Sequence, residues 1–188
     1  MHFIRNILAL GLLFTILNIS SSPAKVGRKT PSRDGEESAG PYYNPASKSY
    51  FELFKLTFSG EFKTWETAKR YAEKKQFKKT SGRLALVKNA ATHDFIIKHF
   101  KAKYFWIGLQ YFCRSQTLRW IDGTIVSKAD FSAWTTPWAR HPSYRCGNKA
   151  YMPVFYTSYT PTRSLMWQAS GPGKEYLMYL VEYPTGKK

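Results

Sequence analysis

The sequence predicts an α+β domain in which two helices come first and a set of antiparallel strands follows. Three observations predict it. Apolar residues recur at helical spacing twice, in 65–76 and again after Thr92. Short runs rich in aromatic and β-branched residues then fill the chain from Tyr104 to Tyr183. Six Trp, thirteen Tyr and thirteen Phe among 188 residues favour strand over a helical bundle. Apolar residues make up 43%, enough for one packed core and too many for a disordered chain.

Residues 1–24 read as a secretory signal peptide. His2 and Arg5 open it, and Ile7 to Ile19 is apolar apart from Thr15 and Asn18. That run is shorter than the roughly 20 residues a membrane-spanning helix needs, and Ser22-Pro23-Ala24 offers small residues for cleavage. An uncleaved anchor is the alternative. Residues 25–48, rich in Ser, Pro, Gly and charge with a breaker at Gly40-Pro41, read as a flexible linker. The domain is expected over 49–184, with a short tail at 185–188. No internal repeat is visible.

Within the domain, Tyr50 to Phe58 reads as a strand. Thr64 is placed to cap a helix over 65–76, with Trp65, Ala68 and Ala72 inward and Glu66 to Arg70 as an outward i,i+4 pair. Leu84 to Val87 is a short buried segment. Thr92 is the expected cap of the second helix, with Phe95, Ile96 and Phe100 inward. Tyr104 to Tyr111 is a strong strand, and Leu118 to Ile125 a hairpin turning on Asp122-Gly123. Residues 126–149 are irregular. Tyr151–Tyr156, Ser164–Trp167 and Tyr176–Tyr183 close the chain as strands.

Lys and Arg number 29 against 12 Asp and Glu, a net charge of +17. Removing Arg5 with the signal peptide takes the 29 bases to 28, leaving +16. That excess points to an anionic partner. Export lowers the weight of intracellular nucleic acid and raises that of extracellular polyanions. Two cysteines exclude a dense disulfide scaffold and a four-thiolate zinc centre.

Several segments in order resemble the C-type lectin-like domain family. Trp65-Glu66-Thr67-Ala68, Gly82-Arg83-Leu84-Ala85-Leu86-Val87 and Phe95 are similar to its two-helix half. Trp106-Ile107-Gly108-Leu109 matches its WIGL strand, and Leu118 to Thr124 the hairpin after it. Phe131-Ser132-Ala133-Trp134 resembles the entry to its long loop, and Trp167 and Tyr179 to Tyr183 its last strands. The resemblance implies two helices packed on small antiparallel sheets with a long irregular loop. It places Ala72 and Val181 where the family has a disulfide, and Ala150 near half of a second one. Cys113 and Cys146 flank the hairpin and long loop; in an oxidising compartment they are expected to pair, with free buried thiols or an intermolecular bridge as alternatives.

Sugar-binding members of the family hold calcium with a Glu/Gln-Pro-Asn/Asp triplet and an Asn-Asp pair after a Trp. Here Pro137 lies between Thr136 and Trp138, and Gln168-Ala169 follow Trp167. Calcium takes 6–8 oxygens, several from carboxylates, yet from Phe131 to Tyr176 the only acid is Glu175. No metal site and no cofactor are expected.

The densest bases are Lys69, Arg70, Lys74, Lys75, Lys78, Lys79 and Arg83 on the first helix and its exit; Lys98, Lys101 and Lys103 follow the second helix. A second cluster, Trp138, Arg140 and Arg145, lies in the long loop, where aromatics beside Arg suit a stacked sugar ring or a protein contact. Each base alone is equally a solubilising charge. No His-Glu-x-x-His pair, no nucleophile elbow and no complete phosphate loop is present, so an enzyme is not expected. The expectation is a secreted, calcium-independent lectin-like protein that binds an anionic extracellular glycan or glycoprotein through basic and aromatic residues. The alternative is a matrix or receptor-contact protein that binds a protein through the long loop.

Overall fold

The computed structural model describes residues 36–56, 61, 63–135, 146–158 and 164–188. The expected signal peptide and the loop residues Trp138, Arg140 and Arg145 lie outside the described residues. Among those described, no helix is long and apolar enough to cross a membrane.

Among the described residues, two helices and eleven strands run in chain order. β1 (Glu37–Asn44) and β2 (Ser49–Lys55) precede α1 (Trp65–Lys74). β3 (Gln76–Phe77), β4 (Thr80–Ser81) and β5 (Arg83–Leu84) lead to α2 (Ala90–His99). β6 (Phe105–Phe112), β7 (Thr117–Trp120) and β8 (Ile125–Val126) follow, then β9 (Tyr151–Ser158), β10 (Leu165–Ala169) and β11 (Met178–Tyr183). The main sheet runs β1-β2-β11-β6-β7-β8, with β9 on β6, β10 on β9 and β5 on β11. This is the expected α+β architecture.

The first strand corrects the expected linker. Residues 25–48 were to be flexible, yet 37–44 pair with β2 from Glu37↔Lys55 to Asn44↔Ser49. Gly40-Pro41, read as a breaker, is a bulge inside β1, where the register shifts between Ala39 and Tyr42. An edge strand tolerates proline at a bulge because no ladder donor is lost there. Gly40 has φ +113°, and a Cβ on it would meet Phe51 O at 2.7 Å.

Helix α1 follows its pattern. Thr64 caps it, its side chain accepting from Thr67 N, and Trp65, Ala68 and Ala72 are buried. Trp65 Nε1 donates to Ile107 O at 2.7 Å and Trp106 Nε1 to Lys63 O at 3.2 Å, which ties the helix to β6. Helix α2 is capped three residues earlier than expected. Asn89 Oδ1 accepts from Thr92 N at 2.8 Å, an N-cap at the usual offset. Thr92 lies inside the helix, and its hydroxyl accepts from Asn44 Nδ2 at 3.1 Å, joining α2 to β1.

The core forms two clusters on either side of the sheet. One, under α2, contains Phe51, Ile96, Phe100, Phe105, Ile107 and Trp167. The other, under α1, contains Trp65, Ala72, Trp106, Phe155, Tyr179 and Val181. Ala72 and Val181, at the positions of the missing family disulfide, are fully buried in this second cluster. Gly82 sits between them: a Cβ there would fall 2.6 Å from Ala72 O and 2.7 Å from Val181 Cγ1. Close apolar packing therefore joins helix to last strand where relatives use a covalent link.

Cys113 and Cys146 are bonded, with Cα atoms 5.8 Å apart. Cys113 N also donates to Ala150 O at 3.0 Å. The bridge thus pins the return of the long loop to the end of β6, closing a loop of separation 33. The double variant Cys113→Ala/Cys146→Ala should lose about 3–4 kcal/mol in guanidinium unfolding. A loss below about 1 kcal/mol would show that the bridge constrains little of the unfolded chain.

Candidate functional site

Around Trp167, which the resemblance sets beside a calcium and sugar position, the structure presents an aromatic cage. Trp167 is fully buried and meets Trp120, Phe131, Trp134 and Tyr156 edge-on, with interplanar angles of 84–88°. Trp134, in the segment read as the entry to the long loop, bridges it: Trp167 N donates to Ala133 O at 2.6 Å and Thr135 N to Trp167 O at 3.0 Å. Below the cage, the Tyr156 hydroxyl lies 2.8 Å from His93 Nδ1. Burial pushes the Tyr156 phenol far above its ordinary range and the His93 imidazole below its own.

The residues that follow Trp167 do not suit calcium. Ala169 is buried and offers no side-chain oxygen, so Gln168 supplies the one side-chain oxygen of the pair. Glu175, the only acid between 131 and 176, is engaged elsewhere; its Oε2 accepts from Lys63 N at 3.0 Å. Among the described residues no group of three or more His, Cys, Asp or Glu is placed to hold a metal. The one neutral amide oxygen of Gln168-Ala169 falls far short of the 6–8 oxygens calcium takes. Adding millimolar calcium or a chelator should therefore leave the melting temperature unchanged; a shift of several degrees would contradict this donor set.

The basic residues expected to act together are divided by their partners. Lys69 Nζ pairs with Glu73 at 3.0 Å, one turn on. Arg70 pairs with Glu61, not with Glu66 as the i,i+4 spacing predicts, because Glu66 accepts from the Tyr151 hydroxyl. Lys75 turns inward to the buried carboxylate of Glu36 and lies 4.5 Å above the Phe54 ring. Lys74, Lys78 and Lys79 remain exposed. Among the described residues none of these three meets a carboxylate. Lys74 lies 5.6 Å over the Tyr71 ring, and Lys78 donates to the Tyr50 hydroxyl at 2.7 Å.

Lys78 and Lys79 stand in an unusual turn. β3 and β4 pair through Gln76↔Ser81 and Phe77↔Thr80, which leaves these two residues as the whole connection. Both have positive φ, 48° and 61°. Two-residue hairpins with φ above zero at both positions are normally made by Asn-Gly. A side chain in this region costs about 1 kcal/mol or more per residue. Lys79→Gly should raise stability by about 1 kcal/mol, or about 3 °C in melting temperature. A loss of stability would show that the Lys79 side chain makes a compensating contact.

Other polar groups are structural. Glu182 is buried and accepts from Ser49 Oγ at 2.8 Å, Leu86 N at 3.1 Å and Arg83 Nε at 3.2 Å. This removes Arg83 from the solvent-facing charges. Asp122 pairs with Lys88 at 2.6 Å and pins the β7–β8 turn. Burial opposes ionisation of Asp122, but bonds from Lys88 and Thr124 outweigh it and hold the carboxyl at about 2.

One exposed feature had no signal in the sequence. Tyr104 is 47% exposed with φ +61°, and its ring stacks on Tyr176 at 5.3 Å and 15°. Leu177, 46% exposed, lies beside it by the parallel register of β11 and β6. Burial, then the neighbouring Tyr104, pushes the Tyr176 phenol up to about 12. Tyr104 reads as the first residue of a strand in the sequence; only the backbone turn puts its ring outside.

The lectin C-type domain model matches residues 61–162, more than half of the chain, and the chain belongs to that family. Solved structures agree on the fold. The carbohydrate-recognition domain of the mouse scavenger receptor C-type lectin is 17% identical with a TM-score of 0.50, over 77% of this chain and 93% of that one. The Ca2+-independent C-type lectin SPL-2 from Saxidomus purpuratus is 20% identical with a TM-score of 0.50, over 73% and 87%. The C-type carbohydrate-recognition domain of cow CD23, solved in the presence of a GlcNAc2Man3 oligosaccharide, is 18% identical with a TM-score of 0.50, over 72% and 87%. Domains of this fold are typically binding modules and not catalysts.

Proposed function

We propose that this is a secreted, non-enzymatic, calcium-independent lectin-like domain that recognises an anionic extracellular glycan, free or carried on a glycoprotein. The observation that supports this reading most is the Lys78-Lys79 turn, which keeps two cations exposed side by side in a backbone conformation that suits other residues better. Local rules broken at a surface position are expected where function outweighs stability. Lys74, on the last turn of α1, adds a third exposed cation a few residues before the turn. Sulfate or carboxylate groups on a polysaccharide would meet these ammonium groups as point charges and release bound counterions. The donor-poor apex removes the divalent ion through which sugar-binding relatives work, so charge carries the recognition. Trp138, Arg140 and Arg145 remain part of the proposal as a second contact from the long loop. The protein-binding alternative also falls on that loop, outside the described residues.

The test is the binding of the full chain to a heparin-derived octasaccharide as salt rises from about 50 to about 200 mM. By analogy with phosphate polymers, three or more ionic contacts should lower affinity more than tenfold over that range. Affinity that is flat with salt, or no binding at the lower salt, contradicts the reading.

A further inference from the structure

A second cationic site lies away from α1, in a cleft between the exit of α2 and the facing ends of β9 and β10. Its volume is about 550 Å³, inside the roughly 300–1,000 Å³ range of small-molecule sites. The floor is apolar, made by Ile97, Phe100 and Leu165. Phe100 is fully buried and belongs to the main core, so the floor is rigid. Three cations, Lys98, Lys101 and Lys103, stand on the lip. Two hydroxyls, Ser158 and Ser164, face them from the β9 and β10 side, and Asp94 is the single acid. Lys101 Nζ donates to Ile97 O at 3.1 Å, which holds one ammonium in place and leaves it two further donors. Among the described residues neither Lys98 nor Lys103 meets a carboxylate.

We infer that this cleft is a binding site for a short anionic saccharide, with Lys98, Lys101 and Lys103 taking its sulfate or carboxylate groups and Ile97 and Leu165, backed by Phe100, receiving the apolar face of a sugar ring. An inorganic anion alone needs no apolar floor of this size, and an apolar ligand needs no ring of ammonium groups. A charged pyranose presents both surfaces at once. Asp94 is placed to accept from ring hydroxyls, and Ser158 and Ser164 to bond to either hydroxyl or anionic oxygens. The inference rests on the polyanion reading above and gives it a second location, which would let one chain of ligand be held at two points.

The probe is a heparin-derived tetrasaccharide, titrated calorimetrically into the full chain, with its desulfated counterpart as control. Ala102→Trp, on the cleft wall, fills the space without changing net charge. Lys98→Ser/Lys101→Ser/Lys103→Ser removes exposed charge and leaves the floor intact. Each should weaken tetrasaccharide binding at least tenfold, and the desulfated probe should bind at least tenfold more weakly to the unaltered protein. If Ala102→Trp does not fold, the lysine variant decides. Binding that is unchanged in these variants but falls in Lys74→Ser/Lys78→Ser/Lys79→Ser overturns the cleft and leaves the proposed function standing. No tetrasaccharide binding by the unaltered protein, or equal binding of the desulfated probe, overturns both.

Discussion

Lys75→Met should destabilise the domain by about 3–5 kcal/mol, near 10 °C in melting temperature. The reason is the carboxylate it would leave behind. Glu36 is almost wholly buried, 1% exposed at its side chain, and its partners include the Lys75 ammonium and the Tyr179 hydroxyl, which donates at 2.8 Å. A second carboxylate, Glu52, lies nearby and accepts from the Tyr183 hydroxyl at 3.0 Å. Burial raises the Glu52 pKa; bonds from Ser38 and Tyr183 and the charge of Lys75 oppose it, while Glu36 adds to the rise. Lys75 is thus a mostly buried cation facing two acids. Removing one member of a buried pair strands the other at a cost well above that of a surface pair.

Glu36→Gln together with Lys75→Met should recover much of the loss, since the amide can still accept from Tyr179 without carrying charge. Urea unfolding of the two single variants and the double variant measures the coupling. A loss under about 1 kcal/mol for Lys75→Met would show that water reaches the Glu36 carboxylate. A residue that the sequence groups with the ligand-binding cations then belongs to the framework that anchors β1.

Lys74→Ser/Lys78→Ser/Lys79→Ser carries the opposite expectation. Stability should change by less than about 1 kcal/mol, because surface substitutions are individually small and relief of backbone strain is limited for Ser. Lys78 gives up its bond to Tyr50, which accounts for most of the loss expected. Heparin affinity should fall by one to two orders of magnitude at moderate salt, and the salt slope should flatten by two to three units, near 0.9 per contact removed. Lys69→Ser, whose charge Glu73 already offsets, serves as the control and should change binding less than twofold. Equal losses for the control and the triple variant would mean that net charge, and not these three positions, governs binding.

Much of the fold was legible because its signals are local. Trp65, Ala68 and Ala72 repeat at helical spacing, Asp122-Gly123 marks its hairpin, and the Trp106 to Leu109 strand resembles the family's most recognisable segment. The lack of acids over 131–174 belongs to the sequence itself, and no shift of alignment within that stretch can supply them. What escaped is non-local. β1 hides because Gly40-Pro41 looks like a breaker until the partner strand shows it as a bulge. Lys75 looks like its neighbours until β1 brings Glu36 to it from 39 positions away. Asn89 and Thr92 are both competent caps, and the three-residue offset between them decides in favour of Asn89. The cleft beside Lys98, Lys101 and Lys103 needs α2, β9 and β10 together, so the sequence shows its charges without its floor.

The central claim is recognition by cations without a metal. Its most direct test is heparin-octasaccharide affinity of the full chain, measured at fixed moderate salt with excess calcium and again with excess chelator. Equal affinity in the two conditions, lost in Lys74→Ser/Lys78→Ser/Lys79→Ser, is the predicted result. Binding that requires calcium and survives the triple substitution would contradict it.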